Sequence, residues 1–305
     1  MKSENALELK DVSKAYGDTV AVDALSFVVP HGMIFGLLGP NGAGKTTTLE
    51  CIEGLRKPDR GEIRVMGIDP TAHPRRLWNA IGVQLQTSGL PETMTAKEAL
   101  AFFSRYHGRA PEYAILDRFG LTKKADDQFG NLSVGQKRRL ALALAVAHEP
   151  QIVFLDEPTA GLDVESRMEL HAMMAELKDA GKTIVLATHD MAEAEKLCDE
   201  IAIVIAGKLG VVGTPSRITA AGDKRTRISV SSANGTFTHV APELPDATLI
   251  AQKDGYAQYS SENPSRSVTA LLALLEKRND ELVDLRVERP TLEERFIEIT
   301  GRNRK

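Results

Sequence analysis

The sequence contains almost no cysteine and no long apolar run. Its 305 residues include two cysteines, Cys51 and Cys198, whose separation fits neither a metal-ligand motif nor a redox motif. We expect both to be buried or half-buried thiols in a reducing compartment. The N-terminal residues lack the apolar core of a signal peptide, and no apolar stretch reaches the roughly 18 to 20 residues that span a bilayer. We therefore expect another chain to carry any function inside a membrane.

The sequence also lacks the excess of basic residues that binding to a nucleic-acid backbone requires. Lys and Arg number 38 against 42 Asp and Glu, which gives a formal net charge of −4. Nucleic acid is therefore not expected as the main partner. A local basic cluster, Lys137, Arg138 and Arg139, is interpreted as a solvated helix face, with a role in contacts left open.

What is present is an ordinary globular composition with an α/β pattern. Hydrophobic residues make up 42% of the chain and charged residues 26%, and the length suits one large and one small domain. Alternating residues 7–29 predict a β-rich start with hairpin character, and residues 95–147 predict helices. Buried strands separated by helical stretches are predicted at residues 33–38, 63–66, 81–85, 152–155, 183–187 and 201–205. Such an alternation predicts a largely parallel sheet that is covered on both faces.

The composition changes after Pro215, and the remaining residues predict a separate α+β domain of roughly 80 residues. A helix is predicted with Asn263 as N-cap and Pro264 at its first position. A capping box from Thr291 to Glu294 predicts a terminal helix. Short strands are predicted at residues 225–231, 236–240, 248–252, 256–260 and 282–287. We place the two domains at residues 1–217 and 218–305.

A complete phosphate-binding loop follows the predicted strand at residues 33–38. The motif G-x-x-x-x-G-K-[ST] is formed by Gly39, Pro40, Asn41, Gly42, Ala43, Gly44, Lys45 and Thr46, with Thr47 next in the chain. Glycines let successive N–H groups point inward at a phosphate, and the following helix adds its positive end. Lys45 supplies a charge for the β- and γ-phosphates, and the Thr46 hydroxyl can ligate Mg²⁺. The motif predicts nucleotide binding and leaves the task of the protein open.

Three polar residues follow two other predicted strands. Asp156 and Glu157 end the apolar run at residues 152–155, and His189 comes after the strand at residues 183–187. Asp156 can hold Mg²⁺ directly or through water, and the Glu157 carboxylate can orient or deprotonate an attacking water. Ligands in parallel sheets bind at the carboxyl ends of strands, so we expect these residues at the phosphate loop.

The order of motifs along the chain resembles an ABC ATPase over roughly residues 5–217. The motifs are the phosphate loop, Gln86, Leu-Ser-Val-Gly-Gln at residues 132–136, Asp156-Glu157, Gly-Leu-Asp at residues 161–163, and His189. The resemblance implies a P-loop NTPase (RecA-like) core with a β-rich N-terminal subdomain and a helical subdomain at about residues 87–150. The small α+β domain would follow this core.

The resemblance also implies roles for residues near the nucleotide. Tyr16 would stack on adenine, and Glu157 would be the catalytic base. Gln86 would sense Mg²⁺ and the attacking water. Gln86 fits the family's glutamine position better than Gln84 does. His189 would contact the γ-phosphate.

A second group of implied roles concerns a partner subunit. Ser133, Gly135 and Gln136 would meet the γ-phosphate of ATP held by the other copy, and the same residues read as a capping box that opens a helix. Val134 stands where the family has its first glycine, and it crowds the approach; contact through Ser133 and Gly135 is expected to survive. Asp163 would link the two active sites, in addition to capping its own helix.

The family implies ATP and Mg²⁺ as cofactors, a homodimer with ATP between the subunits, and integral-membrane permease subunits. The chain would act peripherally at the cytoplasmic face of the cell membrane. Residues 289–301 are similar to the ending of ATPase subunits of daunorubicin-type exporters, which indicates export. Two alternatives stay open at this point: a soluble ABC ATPase acting on nucleic acid or ribosomes, and a nucleotide-gated regulator that has lost hydrolysis.

Overall fold

The computed structural model describes residues 5–86, 89–221, 225–237 and 242–302. The chain divides into two compact units, Met1–Pro215 and Ser216–Lys305. Strands in the described residues are β1 (Asn5–Tyr16), β2 (Thr19–Pro30), β3 (Ile34–Leu38), β4 (Arg60–Val65), β5 (Ile81–Gln84), β6 (Ile152–Asp156), β7 (Thr183–Thr188), β8 (Glu200–Ile205), β9 (Lys208–Gly213), β10 (Thr226–Ser232), β11 (Ala247–Lys253), β12 (Tyr256–Ser261) and β13 (Leu282–Glu288).

The α-helices in the same residues are α1 (Lys45–Ile52), α2 (Pro74–Trp78), α3 (Ala96–Tyr106), α4 (Ala114–Arg118), α5 (Val134–Val146), α6 (Val164–Asp179), α7 (Met191–Leu197), α8 (Pro215–Ala220), α9 (Pro264–Arg278) and α10 (Leu292–Arg302). Across the described ranges, none of these helices combines the length and apolarity that crossing a bilayer requires.

The first unit is built on a six-stranded sheet with the order β5-β6-β7-β3-β8-β9. Neighbouring strands are parallel from β5 to β8, and β9 pairs antiparallel with β8 at one edge. Every residue of β3, β6 and β7 is buried, as expected for strands covered on both faces. The predicted, largely parallel sheet is therefore confirmed, and β3, β6 and β7 end side by side at one edge.

A second sheet in this unit contains the predicted β-rich start. β1 and β2 form an antiparallel hairpin at Gly17, whose φ is 56°, and β4 pairs with the other side of β1. Phe27 of this sheet stacks on Phe35 of β3 with ring centroids 5.3 Å apart. Both sheets contribute to one hydrophobic core, which holds the N-terminal sheet against the strand that precedes the phosphate loop.

The region between β5 and β6 is helical, as predicted, and contains α3, α4 and α5. The basic cluster of α5 is not a solvated face, because Lys137, Arg138 and Arg139 are all half-buried. Arg139 lies 3.3 Å from the carboxylate of Glu169, and Lys137 lies over the ring of Phe129. The three side chains therefore serve contacts within the subunit, and the interpretation from sequence was wrong.

The second unit is an antiparallel sheet of order β11-β12-β10-β13 with α9 packed on one face. Its core includes the buried side chains of Phe237 and Tyr259. The strand predicted at residues 236–240 is wrong at its start, where Thr236 and Phe237 lie in a turn. The Thr236 N–H donates to the carboxylate of Asp280 at 3.1 Å. This N–H therefore does not pair with a neighbouring strand. The rest of that predicted strand lies outside the described residues.

Candidate active site

The loop between β3 and α1 contains two glycines that leave no room for a side chain. A Cβ on Gly39 would lie 2.4 Å from the carbonyl oxygen of Val204, and one on Gly44 would lie 2.2 Å from that of Ala21. Gly44 also has a φ of 99°, a conformation that side chains disfavour. The loop therefore keeps a tight curve ahead of α1, whose N-terminal N–H groups form an anion site.

The ammonium group of Lys45 lies inside this loop. Its Nζ donates to the carbonyl oxygens of Gly39 at 2.8 Å and Pro40 at 3.2 Å, and it lies 3.7 Å from Oε1 of Glu157. Burial lowers the pKa of Lys45, and the charges of Glu157 and Asp156 oppose that shift. The loop thus holds a desolvated positive charge where phosphate is expected to bind.

Thr46 and Asp156 form the second part of the site. The Thr46 hydroxyl donates to Oδ2 of Asp156 at 2.9 Å, although the two residues are far apart in sequence. Asp156 is 5% exposed, and its Oδ1 is buried without a hydrogen-bond partner in the described structure. Burial raises the pKa of Asp156, while the hydrogen bond from Thr46 lowers it in part. Two of the residues predicted to bind the metal, Thr46 and Asp156, are therefore brought together; no hydrogen bond in the described residues joins the third, Gln86, to them.

This pair of oxygens fits a magnesium ion that is bound mainly through a nucleotide. Mg²⁺ accepts one or two protein oxygens and takes its other ligands from phosphate and water. The orphaned Oδ1 of Asp156 beside the Thr46 hydroxyl meets that demand. The described residues contain no cluster of three or more His, Cys, Asp or Glu that could bind a metal by itself.

Glu157 and His189 form the third part, at the ends of β6 and β7. Nδ1 of His189 donates to Oε1 of Glu157 at 3.0 Å. Glu157 has a φ of 46°, and its N–H donates to the carbonyl of Ala187 at 2.9 Å. Left-handed backbone at a non-glycine residue stores strain and is concentrated at functional sites. The neighbouring strand thus fixes Glu157 in this conformation next to Asp156.

Gln86 lies just after β5 and is exposed, whereas Gln84 is a buried residue of the strand. The Gln86 carbonyl accepts a hydrogen bond of 2.7 Å from the guanidinium of Arg138. Arg138 is close enough to Asp156 and Glu157 for both charges to act on its pKa, although burial lowers it overall. The sequence did not predict that Arg138 lies near the site. Its position in the helix that begins at Ser133 was the one feature that could have indicated this.

The turn at Ser133 opens α5 with the predicted capping box. The Ser133 hydroxyl accepts from the Gln136 N–H at 3.2 Å, and Oε1 of Gln136 accepts from the Ser133 N–H at 2.9 Å. Gly135 is buried against Ser166, while the side chain of Val134 is 54% exposed. Within the described residues, no hydrogen bond or ion pair joins this turn to the phosphate loop.

Two further predicted residues lie at the ends of elements. Tyr16 is the last residue of β1 and is 41% exposed, with the cations of Lys14 and Arg56 within 5.8 Å of its ring centroid. Asp163 is the N-cap of α6, and its carboxylate accepts from the Ser166 N–H at 2.8 Å. The capping prediction for Asp163 is confirmed, and the roles of both residues toward nucleotide stay predictions.

Comparison with known proteins identifies the family. The family profile described as ABC transporter matches residues 22–160. The linearmycin resistance ATP-binding protein LnrL of Bacillus subtilis is 34% identical over 306 residues, which cover 97% of this chain and 98% of that protein. This chain belongs to the ATP-binding subunits of ABC transporters. The ABC subunit is also 38% identical over 314 residues to Nod factor export ATP-binding protein I of Sinorhizobium fredii, covering 100% of this chain and 88% of that protein.

Solved structures agree with this assignment. An ATP-binding subunit of an ABC transporter matches with a TM-score of 0.66 and 32% identity, over 71% of this chain and 92% of that one. CbiO1 of Clostridium perfringens, part of the ABC transporter complex CbiONQ, matches with a TM-score of 0.65 and 28% identity, over 72% and 92%. The predicted P-loop NTPase fold is confirmed. Members of the family hydrolyse ATP to power transport, so this subunit is an ATPase that works with membrane components.

Proposed function

We propose that two copies of this ABC subunit bind two ATP molecules between them and drive export through separate membrane subunits. The observation that carries the proposal is the convergence of five side chains at the start of α1 and at the ends of β6 and β7, namely Lys45, Thr46, Asp156, Glu157 and His189. The subunit would act peripherally at the cytoplasmic face of the membrane.

The phosphate loop and the acidic strand end divide the work of binding. Lys45 exchanges its loop carbonyls for the β- and γ-phosphates, which are stronger, charged acceptors. Thr46 and Asp156 hold Mg²⁺ with the oxygens described above. A Mg²⁺ ion held by these oxygens would supply positive charge that offsets the charge of the phosphates. Tyr16 stacks on the adenine ring. The backbone N–H groups that residues 39–47 provide hold the phosphates.

Glu157 and His189 act on the attacking water. The Glu157 carboxylate accepts the proton of the water or orients it in line with the γ-phosphate. His189 donates to Glu157 and so fixes the carboxylate in place. The nearby Lys45 ammonium, at 3.7 Å, stabilises the negative charge of Glu157 before attack. Gln86 senses the metal and the same water from the end of β5.

The Ser133 turn completes the site of the other copy. Ser133, Gly135 and Gln136 begin a helix, and that helix end attracts anions. Ser133 and Val134 are exposed, and in the described residues no hydrogen bond or ion pair joins them to their own phosphate loop. In the dimer this turn meets the γ-phosphate of the ATP held by the partner, so hydrolysis removes the group that bridges the two copies. Asp163 lies between the two sites.

The contact from Arg138 to Gln86 supports a route toward the membrane subunits. Arg138 belongs to the helix that begins at Ser133, so its hydrogen bond joins this helix to the backbone of Gln86. Closure of the dimer therefore pulls on the edge of the helical subdomain. The two full-length relatives are a linearmycin resistance protein and a Nod factor export protein. Their names favour export over the alternative of an ATPase acting on nucleic acid or ribosomes.

The test is Glu157→Gln in the purified chain, with Glu62→Gln as a matched control on an exposed strand residue. The amide keeps the shape of Glu157 but accepts no proton, so we expect turnover to fall by at least about a hundredfold. ATP binding should persist, and light scattering should detect an ATP-bound dimer that accumulates. The control should hydrolyse ATP at the wild-type rate. Wild-type turnover in E157Q would remove Glu157 from its role, and full turnover by a monomer at every concentration would contradict the dimer.

A further inference from the structure

A buried polar pair joins α6 to α7 away from the nucleotide residues. Nε2 of His171 donates to Oε1 of Glu193 at 3.0 Å, and the two residues are only 7% and 3% exposed. Nδ1 of His171 and Oε2 of Glu193 are buried without a hydrogen-bond partner in the described structure. Such a half-satisfied pair is expensive to bury, and apolar side chains of similar volume would be at least as stable. Stability alone does not explain the pair.

The pair fixes the start of α7, the helix that follows His189. Asp190 is the N-cap of α7 and accepts from the N–H of Glu193 at 3.0 Å. Arg167 of α6 lies 3.6 Å from the carboxylate of Asp190. The first turn of α7 is therefore held on α6 at two points, one buried and one partly exposed. The chain just before this turn carries the histidine that contacts Glu157.

The opposite side of α6 contacts the helix that begins at Ser133. Gly135 approaches α6 so closely that a Cβ there would lie 2.6 Å from Oγ of Ser166. Further along, Arg139 of α5 lies 3.3 Å from the carboxylate of Glu169 on α6. Helix α6 thus contacts both α7, which follows His189, and α5, which begins at the Ser133 turn.

We propose that the His171–Glu193 pair and the Arg167–Asp190 contact together position α7, so that α6 holds His189 in register with the Ser133 turn. The inference rests on the proposed function, in which His189 serves the subunit's own ATP and the Ser133 turn serves the partner's. If α6 is rigid, contact of the Ser133 turn with the partner's ATP also aligns His189 and Glu157 of the same subunit on its own ATP. In the described residues no hydrogen bond or ion pair joins the side chains of His171 and Glu193 to Lys45, Thr46, Asp156 or Glu157, so the pair would affect hydrolysis through alignment.

The experiment replaces the pair in the full chain by apolar side chains of similar size, H171F with E193M. This double variant removes the hydrogen bond without leaving a buried charge alone. E193Q is the conservative variant, because its amide oxygen still accepts from His171. E195Q, on an exposed residue of the same helix, is the matched control. Thermal unfolding, kcat and KM for ATP are measured for the wild type and these three variants.

We expect the double variant to unfold at or above the wild-type temperature, with KM for ATP changed by less than about twofold. Its kcat should fall by about tenfold or more, because small misplacements of catalytic groups are costly. E193Q and E195Q should keep wild-type kcat. A stable double variant with wild-type kcat would overturn the inference.

A second variant covers the case in which the double variant does not fold. R167Q removes the partly exposed contact to Asp190 and should lower kcat by about threefold or more at unchanged KM; wild-type kcat in R167Q would then overturn the inference. Failure of the proposed function can be distinguished from failure of this inference. If the proposed function is wrong, the unaltered chain already shows no hydrolysis or no ATP-dependent pairing.

Discussion

At the scale of single residues, Glu53 is a buried acid that the nucleotide site does not use. It follows α1 with a side chain that is 3% exposed, and its Oε2 has no hydrogen-bond partner in the described structure. Burial raises its pKa to about 8, and the charges of Asp156 and Glu50 add to that shift. The folded state therefore binds a proton that the unfolded chain releases above about pH 4.5.

This pKa shift predicts a loss of stability as pH rises. Between the unfolded pKa and about 8, the folded chain holds more protons than the unfolded chain, so the free energy of unfolding falls with pH. E53Q removes the ionisation and should stabilise the first unit by up to about 3 kcal/mol at pH 7, with little difference at pH 5. Thermal unfolding from pH 5 to pH 8 measures this, with E62Q as the exposed control. Parallel pH profiles for E53Q and wild type would contradict the shifted pKa.

Sequence motifs predicted residues that lie together in the candidate site, and they did not predict residues whose surroundings are set by packing. The phosphate loop, Asp156 and Glu157 carry fixed residue types at fixed spacings, because phosphate and metal tolerate few donors. Arg138 and Glu53 carry no motif. Their environments depend on which distant element covers them, as the contact from Arg138 to the Gln86 carbonyl illustrates.

At the scale of elements, the capping box of Ser133 has a structural task and a proposed functional task. S133A should lower the stability of the first unit by about 1 kcal/mol, because one N–H at the start of α5 loses its acceptor. It should also lower ATP hydrolysis while ATP binding to a single copy persists, since in the proposed dimer the hydroxyl faces the partner's nucleotide. Urea unfolding and phosphate release measure the two effects separately.

Helix α3 provides the matched control, because it begins with an equivalent capping box between Thr95 and Glu98. T95A should lower stability by a similar amount and leave hydrolysis at the wild-type rate. If both variants lose the same fraction of activity, the effect of S133A is structural and the proposed contact with the partner's ATP is wrong.

Elements with strong periodicity or caps were predictable, and elements defined by their neighbours were not. β3, β6 and β7 are continuous apolar runs, and α6 has an Asp163 cap, so all four follow from the sequence. β9 was missed because its residues alternate between half-buried and exposed and include glycines, as suits an antiparallel edge strand. The turn at Thr236 was read as strand because the hydrogen bond to Asp280 comes from a distant part of the chain.

At the scale of the whole molecule, the site arises from strand order. β6, β7 and β3 are neighbours in the sheet, so residues separated by more than a hundred positions, such as Thr46 and Asp156, approach within 2.9 Å. The sequence indicates a parallel sheet, whose strands all end at one edge. It does not give the order of the strands, because buried apolar runs are interchangeable in pattern. The strand order was therefore not predicted and is known only from the structure.

The second unit should fold by itself, because it has its own sheet and its own hydrophobic core. Ile228 and Val230 of β10, Tyr259 of β12 and Leu271 of α9 pack together in one cluster of the residues from Ser216 to Lys305. Three or more strands packed against a helix suffice for independent stability, and domains of roughly this length commonly fold alone.

The matching prediction is that a fragment of residues 216–305 unfolds cooperatively, whereas residues 1–215 bind ATP without it. Circular dichroism of the first fragment and nucleotide binding by the second test the two halves of the statement. L271A in the first fragment is the internal check, since removing a fully buried leucine should cost about 2 to 5 kcal/mol and abolish the cooperative transition in so small a domain. A fragment that unfolds without cooperativity before that substitution would mean that the second unit depends on the first for its structure. In that case the accessory domain would belong to the ATPase as one folding unit, and its removal would lower ATP binding as well.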